Sequence, residues 1–107
     1  MSDASNYPAI GQTYIFDIGV AQVRQSYPAA DTMRYQVMTG PRAGEADTVA
    51  IETEQLAPGI FLVSWQEADH LTVVHVEDFN THTFHSCVTM PDGTFRRITS
   101  KMWRADQ

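Results

Sequence analysis

Apolar and polar residues alternate with a period of two along most of this chain. Phe61, Val63, Trp65 and Glu67 fall on one face of such a run, and Ile60, Leu62, Ser64 and Gln66 on the other. That repeat is the signature of a β-strand, whose side chains point alternately to opposite faces. The next run, Leu71 to Asp78, repeats it. A three-residue connection, Ala68-Asp69-His70, predicts a hairpin in which Glu67 faces Leu71, Trp65 faces Val73 and Val63 faces His75. A two-residue turn would shift the register and move His75 to the face opposite Trp65. On the three-residue register, Glu67, His75 and Glu77 share a face with Phe61, Val63 and Trp65.

Similar runs recur between Gly, Pro, Asp and Asn breaks. They predict strands near Gln12–Ile18, Ala21–Tyr27, Thr32–Met38, Asp47–Gln55, Gly59–Glu67, Leu71–Asp78, Thr83–Met90 and Thr94–Trp103. Ala43 to Gln55 contains helix formers, but Val49, Ile51 and Thr53 alternate with polar or small residues, so this segment reads as a strand. Met90-Pro91-Asp92-Gly93-Thr94 carries the chemistry of a tight reversal. The fold class is therefore all-β: a small eight-stranded antiparallel meander closed as a barrel. Closure also removes the exposed edges that an isolated sheet would have to protect. Residues 10–104 form the barrel domain, and residues 1–9 read as a flexible N-terminal tail.

Length and charge narrow the functional classes. At 107 residues there is room for one core. A formal charge of −6 argues against nucleic acid and against anionic membrane surfaces. No run of about 18 apolar residues is present to span a bilayer. Met1 to Pro8 lacks the basic and apolar regions of a secretory signal, and Cys87 has no partner for an internal disulfide. A cytoplasmic location is the expectation.

A small barrel either fills its lumen with side chains or holds one ligand there. Tyr14, Phe16 and Ile18 alternate in the first strand, and Met33, Tyr35 and Val37 in the third, as further lumen residues. The candidate ligand-binding set is Tyr35, Phe61, Trp65 and Val73. Arg97 joins it as an anion anchor, because the pair Arg96-Arg97 splits across the two faces of the last strand. A carboxyl group in an apolar cavity is an arrangement for proton transfer to or from a small organic molecule, which makes Glu67 the candidate acid–base and His75 its partner. The competing reading leaves Glu67 solvated at a strand end, or paired with Arg96 or Arg97. His75, Glu77 and His85 would converge on a metal only if the next hairpin pairs His75 with His85. His82 and His85 point to opposite faces and no Cys pair supports a site, so no metal is expected.

Gly40-Pro41 with Gly44-Glu45, Ser64-Trp65-Gln66-Glu67, Val73 through Phe79 and Pro91-Asp92-Gly93-Thr94-Phe95 together resemble the MoaF-like family of small calycin-type barrels. The resemblance runs from about Gly11 to Lys101 and implies the barrel, with little about activity. A more distant similarity is to the phenolic acid decarboxylases, which share a Val-Ser-Trp-Thr-Glu pattern in the matching strand. That similarity implies an acid–base role for Glu67 and a substrate-holding role for Tyr14. A neighbouring tyrosine of that family is Phe16 here. Its arginine falls near Glu45, with Arg42 displaced toward the N-terminus, which counts against the same reaction on a carboxylate substrate.

Three functions follow. The first is a barrel binding a small organic ligand, aromatic or an organic acid. The second is a lyase or isomerase needing no cofactor, using Glu67. The third is a homodimeric assembly module with a filled core.

Overall fold

The computed structural model describes residues 6–106. Among them are nine strands: β1 (Thr13–Asp17), β2 (Gln22–Ala29), β3 (Thr32–Val37), β4 (Ala46–Ala50), β5 (Glu52–Ala57), β6 (Ile60–Gln66), β7 (Thr72–Asp78), β8 (Thr83–Thr89) and β9 (Phe95–Arg104). All pair antiparallel in the order β4-β3-β2-β1-β9-β8-β7-β6-β5. β1 joins β9, so the first and last strands close the meander at one seam.

The expected count of eight becomes nine at one residue. The run predicted as Asp47–Gln55 divides at Ile51: β4 pairs with β3 and β5 with β6. The Ile51 amide leaves both ladders to donate to the Asp31 carbonyl at 3.0 Å. Burial alternates unbroken through the division, with Val49, Ile51 and Thr53 inward and Ala50 and Glu52 outward. The segment thus runs as one bent strand serving two ladders, and it brings the two ends of the sheet together through the chain itself. A second irregularity, the register shift between Ser26 and Ala29, takes up Pro28. Proline has no amide hydrogen to give a ladder and is confined to such places.

The β6–β7 hairpin adopts the three-residue register. Val63 pairs with His75 and Trp65 with Val73, and the Glu67 amide donates to the Leu71 carbonyl at 2.8 Å. His70 occupies the left-handed position (φ 74°) that such a loop requires at its third residue.

The connections 18–21, 38–45, 67–71 and 90–94 gather at one end of the barrel. The opposite end holds 30–31, 58–59 and 79–82. It is also capped by the N-terminal segment, and here the expected flexible tail is corrected. Tyr7 and Ala9 are buried in the core, and the Gly11 amide donates to the Tyr27 carbonyl at 2.7 Å. Tyr7 packs edge-on against Tyr27, Phe61 and Phe79, with ring centroids 5.2–5.7 Å apart. Ring burial on this scale outweighs the entropy of ordering a few residues. The expectation for residues 1–5 lies outside the described residues. The core between the two ends is dominated by Phe16, Met33, Phe61, Val63, Phe84 and Met102, all essentially sealed from solvent.

Candidate functional site

Partly buried apolar residues pack against the core at both ends of the barrel, Ile10 and Phe79 at the Tyr7 end and a larger set at the end that carries Glu67. There Ile18, Tyr35, Leu71, Val88 and Ile98 pack against the core with part of their surface open. They form a cup. Glu67 stands on its rim, half-buried, and receives hydrogen bonds from two elements. Tyr35 Oη on β3 donates to Oε1 at 3.2 Å, and Trp65 Nε1 on β6 donates to Oε2 at 3.2 Å. Burial, followed by the nearby charge of Glu67, pushes the Tyr35 phenol up to about 12. Asp47 pairs with Tyr35 across β3 and β4, so it shares the inner face at the rim.

Beneath the rim lies a polar floor. The His75 ring is enclosed by Trp65, Phe84 and Phe16, at centroid distances of 5.0, 5.3 and 5.5 Å. His75 Nδ1 lies 3.2 Å from Glu77 Oε2, and Tyr7 Oη donates to Glu77 Oε1 at 2.5 Å. Glu77 is 0% exposed. Tyr27, whose hydroxyl donates to Gln25 Oε1 at 2.6 Å, adjoins the same group. Burial, reinforced by the neighbouring phenol and by Glu77, holds the Tyr7 phenol well above its ordinary range. A charged or polar group so deep is tolerable only when its oxygens are satisfied, and the Tyr7–Glu77–His75 chain does this.

The candidate residues separate into three places. Tyr35, Trp65 and Glu67 come together at the rim, with Val73 beneath them opposite Trp65. His75 is on the floor, linked to Glu67 through the Trp65 indole, which touches one with its ring and the other with its nitrogen. Tyr14 and Phe61 lie at the closed end around Phe79, at centroid distances of 5.5 and 6.0 Å from it. The candidate catalytic set Glu67, His75 and Tyr14 is therefore not assembled at one point.

Two side chains lie elsewhere than expected. Arg97 pairs with Cys87, which pairs with Val74, and all three face outward. Arg96 pairs with Val88 and takes the inward position instead, exposed at the rim. One residue of register decides between the two arginines. His75 pairs with Ser86, not His85. His85 is on the outer wall, its Nδ1 3.1 Å from Thr99 Oγ1. Among the described residues, no group of three or more His, Cys, Asp or Glu side chains is placed to hold a metal.

The sequence reading missed Tyr7 and Ser86. Tyr7 opens the short apolar run Tyr7-Pro8-Ala9-Ile10, a departure from the polar residues before it. Ser86 sits between Phe84 and Val88 in the inward frame of β8, a signal that alternation alone supplies. A surface hollow of about 380 Å³, lined by Gly11, Gln12, Thr13, Arg24, Ala105 and Asp106, lies on the outer wall away from the cup.

Fold and site together define a small antiparallel β-barrel, capped by its N-terminal segment at one end and carrying Glu67, Tyr35 and Trp65 at the other. The chain belongs to the MoaF-like family, whose model matches residues 10–102. It is similar to the crystal structure of a "putative beta-lactamase from Burkholderia vietnamiensis", with 28% identity and a TM-score of 0.87 over 92% of this chain and 96% of that one. No curated protein matches in sequence. Among the described residues, no helix is long and apolar enough to cross a membrane.

Proposed function

We propose that this calycin-type barrel binds a small organic molecule in the cup at the Glu67 end. One observation carries the reading. A half-buried carboxylate is held by the Tyr35 hydroxyl and the Trp65 indole, among apolar side chains that the fold leaves partly uncovered. An apolar hollow with a few oriented polar groups is the usual form of a small-molecule site.

A second reading, a lyase or isomerase needing no cofactor, is favoured by the placement of Glu67 where a bound molecule would touch it. The separation of Tyr14 from Glu67 weighs toward binding alone. Beta-lactamase chemistry is not carried over from the Burkholderia protein. The chain has no Ser-x-x-Lys sequence, and its single lysine, Lys101, is exposed on β9.

Trp65 supplies the test. The other tryptophan, Trp103, lies on the outer wall opposite Ile15, so a Trp103→Phe protein reports on the cup through Trp65 alone. Saturable changes in its emission, with a matching rise in melting temperature, are expected for some members of a panel of small aromatic and aliphatic molecules. A ligand that is also consumed, with loss dependent on Glu67, would establish the enzyme reading. A panel that leaves Trp65 emission unchanged throughout refutes the site.

A further inference from the structure

The hydrogen-bonding inventory of the cup is lopsided. On the β3–β6 side its donors are already committed: the Tyr35 hydroxyl and the Trp65 indole N–H both point at Glu67. The Arg42 guanidinium is committed to Glu45 through Nε and Nη2, each at 2.7 Å. What remains facing the opening is acceptor capacity: the outer lone pairs of Glu67 and the carboxylate of Asp47, of which one oxygen also accepts from the Thr48 amide. Arg96, exposed across the rim on β9, is the one cation at an inward position near the opening among the described residues. The chain as a whole carries −6.

The floor gives a second, independent sign. Ser86 is 3% exposed, faces inward beside His75 and Ile98, and its hydroxyl has no hydrogen-bond partner among the described residues. The same holds for His75 Nε2, on a ring that is 4% exposed. Yet no buried side-chain nitrogen or oxygen among the described residues is sealed off without a partner. The two atoms therefore border space that another polar atom can enter. Assigning the Nδ1 proton to the Glu77 contact makes Nε2 an acceptor, and the serine hydroxyl both donates and accepts. Together they suit a hydroxyl. A nucleophilic role for Ser86 does not fit. It lies in mid-ladder between β7 and β9, with no free backbone amides beside it to hold an oxyanion.

We propose, resting on the cup as a ligand site, that its ligand is a small hydroxylated aromatic amine: the ammonium sits against Glu67 beside Trp65 and Tyr35, and the hydroxyl meets Ser86 Oγ and His75 Nε2. An ammonium gains from the charge of the two carboxylates. A carboxylic acid in the same place would meet Glu67 and Asp47 with the donors of the β3–β6 side already taken, and only Arg96, across the rim on β9, could turn to it. The proposed ligand thus carries the charge opposite to that of the organic acid expected from the sequence.

Three probes with a shared body test this on the Trp103→Phe protein: tyramine, 2-phenylethylamine and 4-hydroxyphenylacetate. Tyramine is expected to bind roughly tenfold or more tightly than 4-hydroxyphenylacetate, a difference of about 1.4 kcal/mol. Glu67→Gln should remove most of that preference. Tyramine should also exceed 2-phenylethylamine by several-fold, and Ser86→Ala should erase that second difference while leaving the first. Both variants are checked for a parental melting profile, and Asp47→Asn, at an exposed position, should reduce the charge preference without touching the fold. Equal or tighter binding of 4-hydroxyphenylacetate overturns the inference while upholding the cup. Binding by none of the three at millimolar concentration overturns the inference, and the wider panel then decides the fate of the cup separately.

Discussion

Tyr7→Phe is the substitution that isolates the contact between the N-terminal segment and the buried carboxyl group. It keeps the ring, and with it the edge-on packing against Tyr27, Phe61 and Phe79. It removes only the hydroxyl that donates to Glu77 Oε1 at 2.5 Å. Glu77 is completely buried, so water does not replace the lost donor without opening the barrel end. A buried acceptor deprived of its partner costs roughly 1–3 kcal/mol. In a domain of this size each kcal/mol lowers the melting temperature by about 4–8 °C, so a fall of roughly 5–20 °C is expected. Thermal and urea unfolding read it, with the urea slope unchanged because the surface exposed on unfolding is the same. Glu77→Gln, alone and combined with Tyr7→Phe, completes a cycle whose coupling should reach about 1 kcal/mol or more. A Tyr7→Phe protein within about 0.5 kcal/mol of the parent, the range of an ordinary surface substitution, would refute the reasoning and detach Tyr7 from the core.

Two further outcomes follow from the same structure. Gly40 has φ 90°, and a β-carbon there would lie 2.5 Å from the Val20 carbonyl oxygen, whereas Gly44, at φ 97°, has open space around it. Gly40→Ala should therefore cost at least about 1 kcal/mol more than Gly44→Ala in chemical denaturation; equal costs would separate the two rim loops that meet there. All four tyrosines, Tyr7, Tyr14, Tyr27 and Tyr35, have phenols raised above their ordinary range, with burial the largest cause in each. A raised folded value stabilises the fold below the unfolded value near pH 10, and that contribution is lost as pH climbs through the folded values. Tyrosinate absorbance should stay low at pH 10 and rise only above it, with Tyr35 titrating at about 12. Half-ionisation at pH 10 in the folded protein would contradict the burial of these side chains.

The β6–β7 hairpin was the most legible element, because a face change would have placed Trp65, His75 and Glu77 in solvent or in core as a set. The period-two pattern also survived the division at Ile51, where one expected strand serves two ladders and the assignment of faces holds. Arg96 and Arg97 were less legible. They are adjacent, chemically identical and near a turn, so the choice between them rests on the pairing of β9 with β8. Tyr7 was read with the polar residues before it, because local composition says nothing of a ring that docks 70 positions away in sequence on Glu77.

Local alternation and turn chemistry, then, settled the all-β class, the meander and the faces of the central strands, though not of the Arg96–Arg97 pair. These depend on neighbours in the chain, and a two-residue repeat is visible without knowing what lies opposite. Tertiary structure decided the rest: which end is capped, that Glu77 is held by Tyr7 and His75, that Glu67 gathers Tyr35 and Trp65, and that Tyr14 stands apart. Those facts come from strand shear and from the docking of the N-terminal segment. Both bring together residues that are far apart along the chain, and no local periodicity records such distances.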